Sequence, residues 1–329
     1  MNAGKTDVSI VLFQIRWSEF AAVLAQLAQC SGEFRTLRFL LSGSNAERER
    51  LAKELATNGL SAQAEVTHRY DNLGFAGGHN LLLERSFSDG APSCLVLNPD
   101  VFVEAGAITE LTARAHRHRS GLVGPSLSAT QHGVKVVDSL GISWTAAGRH
   151  IDRDQGAPWR IAPGCISEQA GLTGACLLVD RVAFRQVLSR SGHFFDDYFL
   201  AYREDAELGV RAAALGTPSF LVEMEGFSHH RAVRGSQRGN RTADFLGVRN
   251  RFLLRWKLGS LRPGAFALPT IRDVVVVVAS LSVERRSLPA LTAAFQIRRA
   301  MIGRRRRSRV VLGGAPPVRE LTGSEDRKG

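Results

Sequence analysis

Residues 94–101 read CLVLNPDV: four apolar side chains suited to a buried strand, then a proline that cannot continue the ladder, with a carboxylate immediately beyond it. Similar apolar runs occur three times upstream, at Val8–Phe13, Leu37–Leu41 and Ala64–His68, separated by helical patterns near Glu19–Gln29, Ala46–Asn58 and Gly78–Phe87. Ser44 or Asn45 can cap the second of these helices and Gly59 can end it. Strands alternating with helices predict an α/β fold, with a mainly parallel sheet, right-handed crossovers and flanking helices. Ligands gather beyond the carboxyl ends of strands in such sheets. The loops SGSN (42–45), YDNLGFAGG (70–78) and NPDV (98–101) all fall there.

A second informative stretch is 195–216, FDDYFLAYREDAELGVRAAALG. Leu208, Ala212 and Leu215 mark one apolar face of a helix, and Gly216 can end it. Glu204 and Asp205 therefore occupy its first turn, where free backbone N–H groups stabilise a carboxylate. The aromatic cluster just upstream (Phe194, Phe195, Tyr198, Phe199, Tyr202) can wall off a pocket in which that carboxylate meets a substrate hydroxyl.

The chain of 329 residues is 44% apolar and 22% charged, enough for one large core and a small appendage, which excludes disorder for most of it. Four well-separated cysteines without a C-x-x-C pair, and an opening MNAGKTDVSI without a charged-then-apolar leader, predict a reducing cytoplasm. Cys94 and Cys176 lie in apolar runs and are expected as buried hydrophobes rather than nucleophiles. The net charge of +12 is unevenly spread: 24 basic and 25 acidic residues precede Arg241, while 19 and 6 follow from there. A nearly neutral body with a cationic attachment points to an anionic membrane surface or to nucleic acid.

Taken in order, NLGFAGGHN (72–80), CLVLNPDV, GLTGACLLVDRVAF (171–184), the stretch around Asp205, SHHRAVRGS (228–236) and VRNRFLLRWKLG (248–259) resemble the family 2 inverting nucleotide-sugar glycosyltransferases. The likeness is greatest to their bacterial rhamnosyltransferase-like branch and covers roughly residues 5 to 260. This resemblance implies a GT-A-type, Rossmann-like domain over residues 1–240. It assigns Asp205 as general base, with Glu204 as its support or alternative. Ser42, Asp71, Asn72, Gly74, Gly78, Asn98, Asp100 and Arg231 go to the nucleotide-sugar donor, and Gly174 and Ala175 to the acceptor. It also implies a divalent cation, Mg²⁺ or Mn²⁺, on Asp100 and His230, with His229 as the alternative. Adjacent histidines on a strand face opposite ways, so one of the two is expected to reach the site. Asn98 stands where the wider family has the first acid of an Asp-x-Asp pair.

The chemistry implied is a single displacement. An acceptor hydroxyl loses its proton as it attacks the anomeric carbon, and the departing nucleotide diphosphate has its charge neutralised. The expected reaction moves a sugar, L-rhamnose from dTDP-rhamnose, onto a glycan or lipid-linked acceptor in bacterial envelope polysaccharide synthesis. The competing reading is a catalytically silent relative serving as a binding or scaffolding protein at the membrane. Asn98 and Gln14-Ile15 after the first strand favour it, and the SGSN loop lacks the aspartate that the resemblance implies for recognising the nucleotide base.

Residues 241–312 read as basic amphipathic helices, and 313–329 as a disordered tail rich in proline, glycine and charge. The apolar run Val274–Leu281 is far shorter than the roughly 20 residues needed to cross a bilayer. Attachment to the inner face of the cell membrane is expected instead, with Arg304–Arg307 on anionic headgroups. No helix-turn-helix, zinc or RNA-recognition signature accompanies the basic run, which disfavours nucleic acid.

Overall fold

The structure, a computed structural model, describes residues 5–116, 121–230, 241–259, 267–282, 284–307 and 319–321. The first half follows the alternation closely: β1 (Thr6–Phe13), α1 (Trp17–Gln29), β2 (Phe34–Ser42), α2 (Asn45–Thr57), β3 (Ala64–Arg69), α3 (Gly74–Ser88) and β4 (Ser93–Leu97). Ser44 caps α2 reciprocally. Its hydroxyl accepts from the Glu47 N–H at 3.3 Å, and the Glu47 carboxylate accepts from the Ser44 N–H at 2.8 Å. Gly59, at φ +67°, takes the left-handed turn beyond it. α3 starts at Gly74, so the glycine-rich loop is the first turn of a helix.

The second half is less regular, with β5 (Val101–Val103), α4 (Ala107–Ala115), β6 (Leu122–Pro125), β7 (Leu127–Gln131), β8 (Val134–Ser139), β9 (Ile142–Trp144), β10 (His150–Asp152), β11 (Ile166–Gln169), β12 (Cys176–Asp180), α5 (Arg181–Ser191), α6 (Glu204–Ala214), β13 (Ser219–Val222) and β14 (Phe227–His229). The helices α7 (Arg241–Leu258), α8 (Ala267–Ser282) and α9 (Leu288–Arg307) follow, then a short strand β15 (Arg319–Leu321).

The main sheet has the order β15-β11-β13-β6-β12-β4-β1-β2-β3. All of its strands run one way except β11 and β12. A second sheet, β5-β14-β7-β8, stands beside it, and β9 and β10 form a hairpin. Val8, Ile10, Leu12, Phe20, Leu24 and Phe39 fill the core between the main sheet and α1. Leu83, Val96, Leu177, Val187 and Leu208 fill the core beneath α3, α5 and α6.

A third cluster joins the C-terminal helices to the body. Phe199 and Val210 pack with Phe252, Leu253 and Leu254 of α7 and with Leu291, Ala294 and Met301 of α9. Buried charge reinforces the joint: Glu207 of α6 accepts from Arg211, Lys257 of α7 lies 2.9 Å from Glu207, and Lys257 and Arg304 both reach Asp196. Arg304 also pairs with Asp197 and lies over the Tyr198 ring, so it is bound inward rather than presented to headgroups. The side chains of Arg305–Arg307 lie outside the described residues. The strand at 319–321 falls within the tail expected to lack structure; it extends the main sheet by pairing with β11. No helix among the described residues is long and apolar enough to cross a membrane.

Candidate active site

The pairing of β4 with β12 sets the site. Because Leu97 lies opposite Cys176, the loops at those strand ends meet, and the Asn98 N–H donates to the Ala175 carbonyl at 2.9 Å. One residue earlier, the Gly174 N–H donates to Asp205 Oδ2 at 3.1 Å. A side chain at Gly174 would press on the Phe75 ring at 2.9 Å, so glycine is needed for this approach. Gly209 does the same for α6, since a Cβ there would come within 2.5 Å of the Gly171 Cα. Three segments distant in sequence are thus brought together: the Asn98–Asp100 turn, the Gly171–Ala175 loop and the start of α6.

The two carboxylates of α6 differ in environment. Asp205 is half-buried, and its other oxygen accepts from the Ala206 N–H at 2.7 Å. Glu204 is enclosed, its Oε2 without a hydrogen-bond partner among the described residues. Burial, with Asp205 beside it, pushes the Glu204 carboxyl well above the usual range. Of the two carboxylates, Asp205 is the one that reaches the Gly174 loop.

The approach to α6 is strained. Leu200, Tyr202 and Arg203 all have positive φ (63°, 68° and 76°) without being glycine. Such backbone persists only where its surroundings fix it. Asn250 of α7 does so, its Nδ2 lying 2.7–2.9 Å from the carbonyl oxygens of Phe199, Ala201 and Tyr202. Arg249 donates to the carbonyls of Tyr198 and Phe199, and the Ala76 N–H donates to that of Leu200. Asn250 escaped sequence reasoning. It sits in a motif noted only for basicity, and its partners are backbone atoms fifty residues away in sequence.

Across the cleft, Asp100 precedes β5 and meets His229 at the end of β14. His229 Nε2 lies 3.2 Å from Asp100 Oδ1, and Nδ1 lies 2.8 Å from Asp138 Oδ2 on β8. The two carboxylates lift the imidazole to about 9, overcoming its burial. His230, expected as the ligand, has its ring on Phe102 and is exposed; only its backbone N–H touches Asp100, at the carbonyl. The alternation of side chains on β14 decides this, turning residue 229 inward. Asp138 was not foreseen, because a lone acid in VVDS carries no signal of its own. The phenol of Tyr202, raised by burial, is raised further by Glu204 and Asp100, so Asp100 shares the electrostatic neighbourhood of α6.

An imidazole backed by a carboxylate on one nitrogen and facing a carboxylate on the other is the donor arrangement that suits a divalent cation. Asp100 and His229 fit one, although no group of three or more histidine, cysteine or acidic residues with ligand geometry occurs among the described residues.

The other expected donor residues are placed as follows. Asp71 is exposed and paired with Arg69, at 2.7 Å. The Asn72 side chain accepts from the Gly74 N–H at 2.8 Å, turning the chain into α3. Gly74, at φ +66°, lies against the Leu200 carbonyl. Gly78 is not open to a nucleotide: a Cβ there would meet Val11 and Leu40, so its small size seats α3 on the sheet. Ser42 is buried at the end of β2, which closes it off from a ligand. Asn80 is also engaged, bonded both to the N–H and to the carbonyl of Phe195. Arg231 lies outside the described residues.

No family model matches the chain. It is 32% identical over 231 residues, 59% of its own length and 71% of the relative's, to N-acetylglucosaminyl-diphospho-decaprenol L-rhamnosyltransferase of Mycobacterium tuberculosis, strains CDC 1551 / Oshkosh and ATCC 25618 / H37Rv. Among solved structures it resembles GalNAc-T7 with UDP, GalNAc and Mn²⁺, with a TM-score of 0.59 and 14% identity, spanning 94% of this chain and 59% of that one. It also resembles S. aureus TarS 1–349, with a TM-score of 0.52 and 12% identity, spanning 92% and 88%. At such identities these structures share the fold alone. With that rhamnosyltransferase as a relative and that architecture, the chain belongs to the family 2 inverting glycosyltransferases of GT-A type, in their rhamnosyltransferase-like branch, and is a glycosyltransferase.

Proposed function

We propose that this glycosyltransferase moves L-rhamnose from dTDP-rhamnose onto a sugar borne by a lipid-linked diphosphate, in the synthesis of bacterial envelope polysaccharide. The relative's printed name supplies donor sugar and acceptor class. The observation that carries the reading is the convergence of the Asp205 carboxylate, the Gly174–Ala175 loop and the Asn98–Asp100 turn through direct backbone contacts.

Asp205 is the general base. Held by two N–H groups, its carboxylate takes the proton of the acceptor hydroxyl as that oxygen bonds to the anomeric carbon. The bond from that carbon to the donor phosphate breaks in the same step, and the configuration inverts. Glu204, enclosed beside the base, supports it. Asp71, Asn72 and Asn98 line the donor side, and Gly174 and Ala175 the acceptor side. Asp100 and His229 would hold a divalent cation, with Asp138 fixing the imidazole; when bound, such an ion neutralises charge on the departing diphosphate.

Residues 1–240 carry the catalytic groups in this reading, α7 and α9 complete their packing, and within 241–312 it is α8 that faces the membrane. The reading also sets the protein on the cytoplasmic face of the membrane. Leu268, Ile271, Val274, Val275, Val278 and Leu281 form an exposed apolar face on α8, each more than half exposed. Thermal-shift titration with dTDP, UDP and GDP, with and without Mn²⁺, tests the donor. The largest shift is expected from dTDP, increased by Mn²⁺; a preference for UDP or GDP would overturn the rhamnose assignment.

A further inference from the structure

A cleft between the β9–β10 hairpin, α7 and α8 has gathered charge that the chain does not balance. Trp144, Arg203, Arg251, Arg255, Arg272 and Asp273 line it, and it opens to solvent, with about 30 Å³ of free space inside. Four guanidinium groups thus face one carboxylate. Asp273 accepts from Arg251 at 3.1 Å and lies 3.5 Å from Arg255. Arg203 and Arg272 meet no carboxylate at ion-pair distance among the described residues, and burial together with the neighbouring Arg272, Arg251 and Arg149 pulls Arg203 down to about 10.

Two donors in this cleft are also unspent. The Nε–H of Arg203 and the Nε1–H of Trp144 are shut off from solvent with no acceptor among the described residues. Buried donors of this kind are rarely left without a partner, and guanidinium forks match phosphoryl oxygens.

Position narrows the ligand further. Arg203 is the N-cap of α6, two residues before Asp205, so the two Cα atoms stand at most about 7 Å apart. Arg272 and Asp273 turn toward the cleft from α8, the same helix whose Leu268, Ile271, Val275 and Val278 are exposed. Arg203 thus ties the cleft to the segment that carries the base, and an apolar helix face lies beside it.

We propose that this cleft holds the diphosphate of the acceptor, a sugar diphosphate ester of an isoprenoid alcohol, and that the isoprenoid chain leaves along the exposed face of α8. This deepens the lipid-linked acceptor proposed above and rests on it. The arginines set the reach of the acceptor: with the diphosphate anchored, the first sugar beyond it presents its hydroxyl to Asp205.

Farnesyl diphosphate, below its micellar concentration, is the probe. The full chain is titrated calorimetrically with it, with and without prior saturation by dTDP and Mg²⁺, and separately with inorganic pyrophosphate and with farnesol. Farnesyl diphosphate is expected to bind with or without dTDP, pyrophosphate at least tenfold more weakly, and farnesol not measurably. Arg272→Gln should weaken farnesyl diphosphate at least tenfold while leaving the dTDP thermal shift unchanged, and Arg251→Gln provides a second variant should the first not fold. Unaltered affinity in both variants, exclusion by dTDP, or pyrophosphate binding as tightly as the ester would overturn the assignment. Displacement by phosphatidylglycerol vesicles at equal phosphate would assign the cleft to bulk headgroups and overturn it too. If dTDP fails to bind while farnesyl diphosphate still responds to the arginine variants, the donor reading fails and the acceptor site stands.

Discussion

Asp205 and Glu204 are neighbours in sequence with opposite fates. The first turn of α6 points one to the Gly174 loop and half-exposes it, and turns the other into the protein interior. Asp205→Asn removes the basic charge and, because the amide nitrogen cannot accept, one of the two hydrogen bonds from backbone N–H groups. It should still fold, with a melting midpoint lowered by a few degrees at most, and lose at least about a hundredfold in kcat, the lower end of general-base contributions. Glu204→Gln keeps the shape of the enclosed side chain, so in a supporting role it should keep most of its turnover. A Gln variant as inactive as Asp205→Asn would mean that Glu204, not Asp205, takes the proton. His229 shows the same dependence on surroundings: two adjacent histidines are equivalent in sequence, and one residue of strand alternation gives Asp100 to the first.

At the scale of elements, the site is held by α7, a helix outside the nucleotide-binding alternation. Removing the Asn250 amide takes a donor from the Ala201 and Tyr202 carbonyls, while that of Phe199 keeps Arg249, in a segment with three unfavourable φ angles. Asn250→Ala should destabilise the fold by roughly 1–3 kcal/mol, the usual penalty for unsatisfied buried polar groups. Because it loosens the turn that leads into Asp205, kcat should fall while the dTDP dissociation constant hardly moves. Equal losses in both would show a general weakening of the fold instead. The contact of Gly209 with Gly171 is equally exacting: Gly209→Ala should push α6 from the acceptor loop and raise the acceptor KM above that of the donor, as steady-state kinetics with each substrate varied would reveal.

At the scale of the whole molecule, the buried charge network makes α7 and α9 part of the fold. Cutting the chain after residue 240 would strip Glu207 and Asp196 of Lys257 and uncover Phe199 and Val210. Leaving buried acids without their partner is strongly destabilising. The truncated chain should therefore lack a cooperative melting transition.

Acid should unfold the intact protein early. His79, His150 and His193 are each pushed down to about 3, first by burial and, for the latter two, by nearby arginine or lysine. The unfolded chain gains their protons as pH falls through 6.5 and the folded one does not, so stability is lost from about pH 6.5 down to about 3. Glu204 opposes this, since its raised pKa leaves the folded state with the extra proton above its unfolded value of 4.5. His229, protonated in both states below 6.5, adds no slope there. Near pH 5 the three histidines alone give an uptake of nearly three protons on unfolding, or about 4 kcal/mol per pH unit, a slope that Glu204 reduces. Denaturant melts between pH 7 and 4.5 would measure that slope, and a flat profile would contradict it.

Features that depend on neighbours along the chain were legible in the sequence. Apolar runs spaced by amphipathic stretches located β1 to β4 and α1 to α3, with the starts of β2 and α3 three and four residues earlier than expected, Ser44 was one of two candidates for the cap of α2, and the order of motifs pointed to the family. Acids in the first turn of α6 were legible for the same reason. What depends on atoms distant in sequence was settled by the fold. Gly78 proved to be a packing contact, Ser42 was closed in, Arg304 was drawn inward, and Asn250 and Asp138 gained roles through partners far away. Local patterns fix where a chain turns and which face is apolar, because those choices are made within a few residues. Burial, charge pairing and hydrogen bonds to another segment's backbone are set when segments meet, and no pattern within a single segment records that meeting.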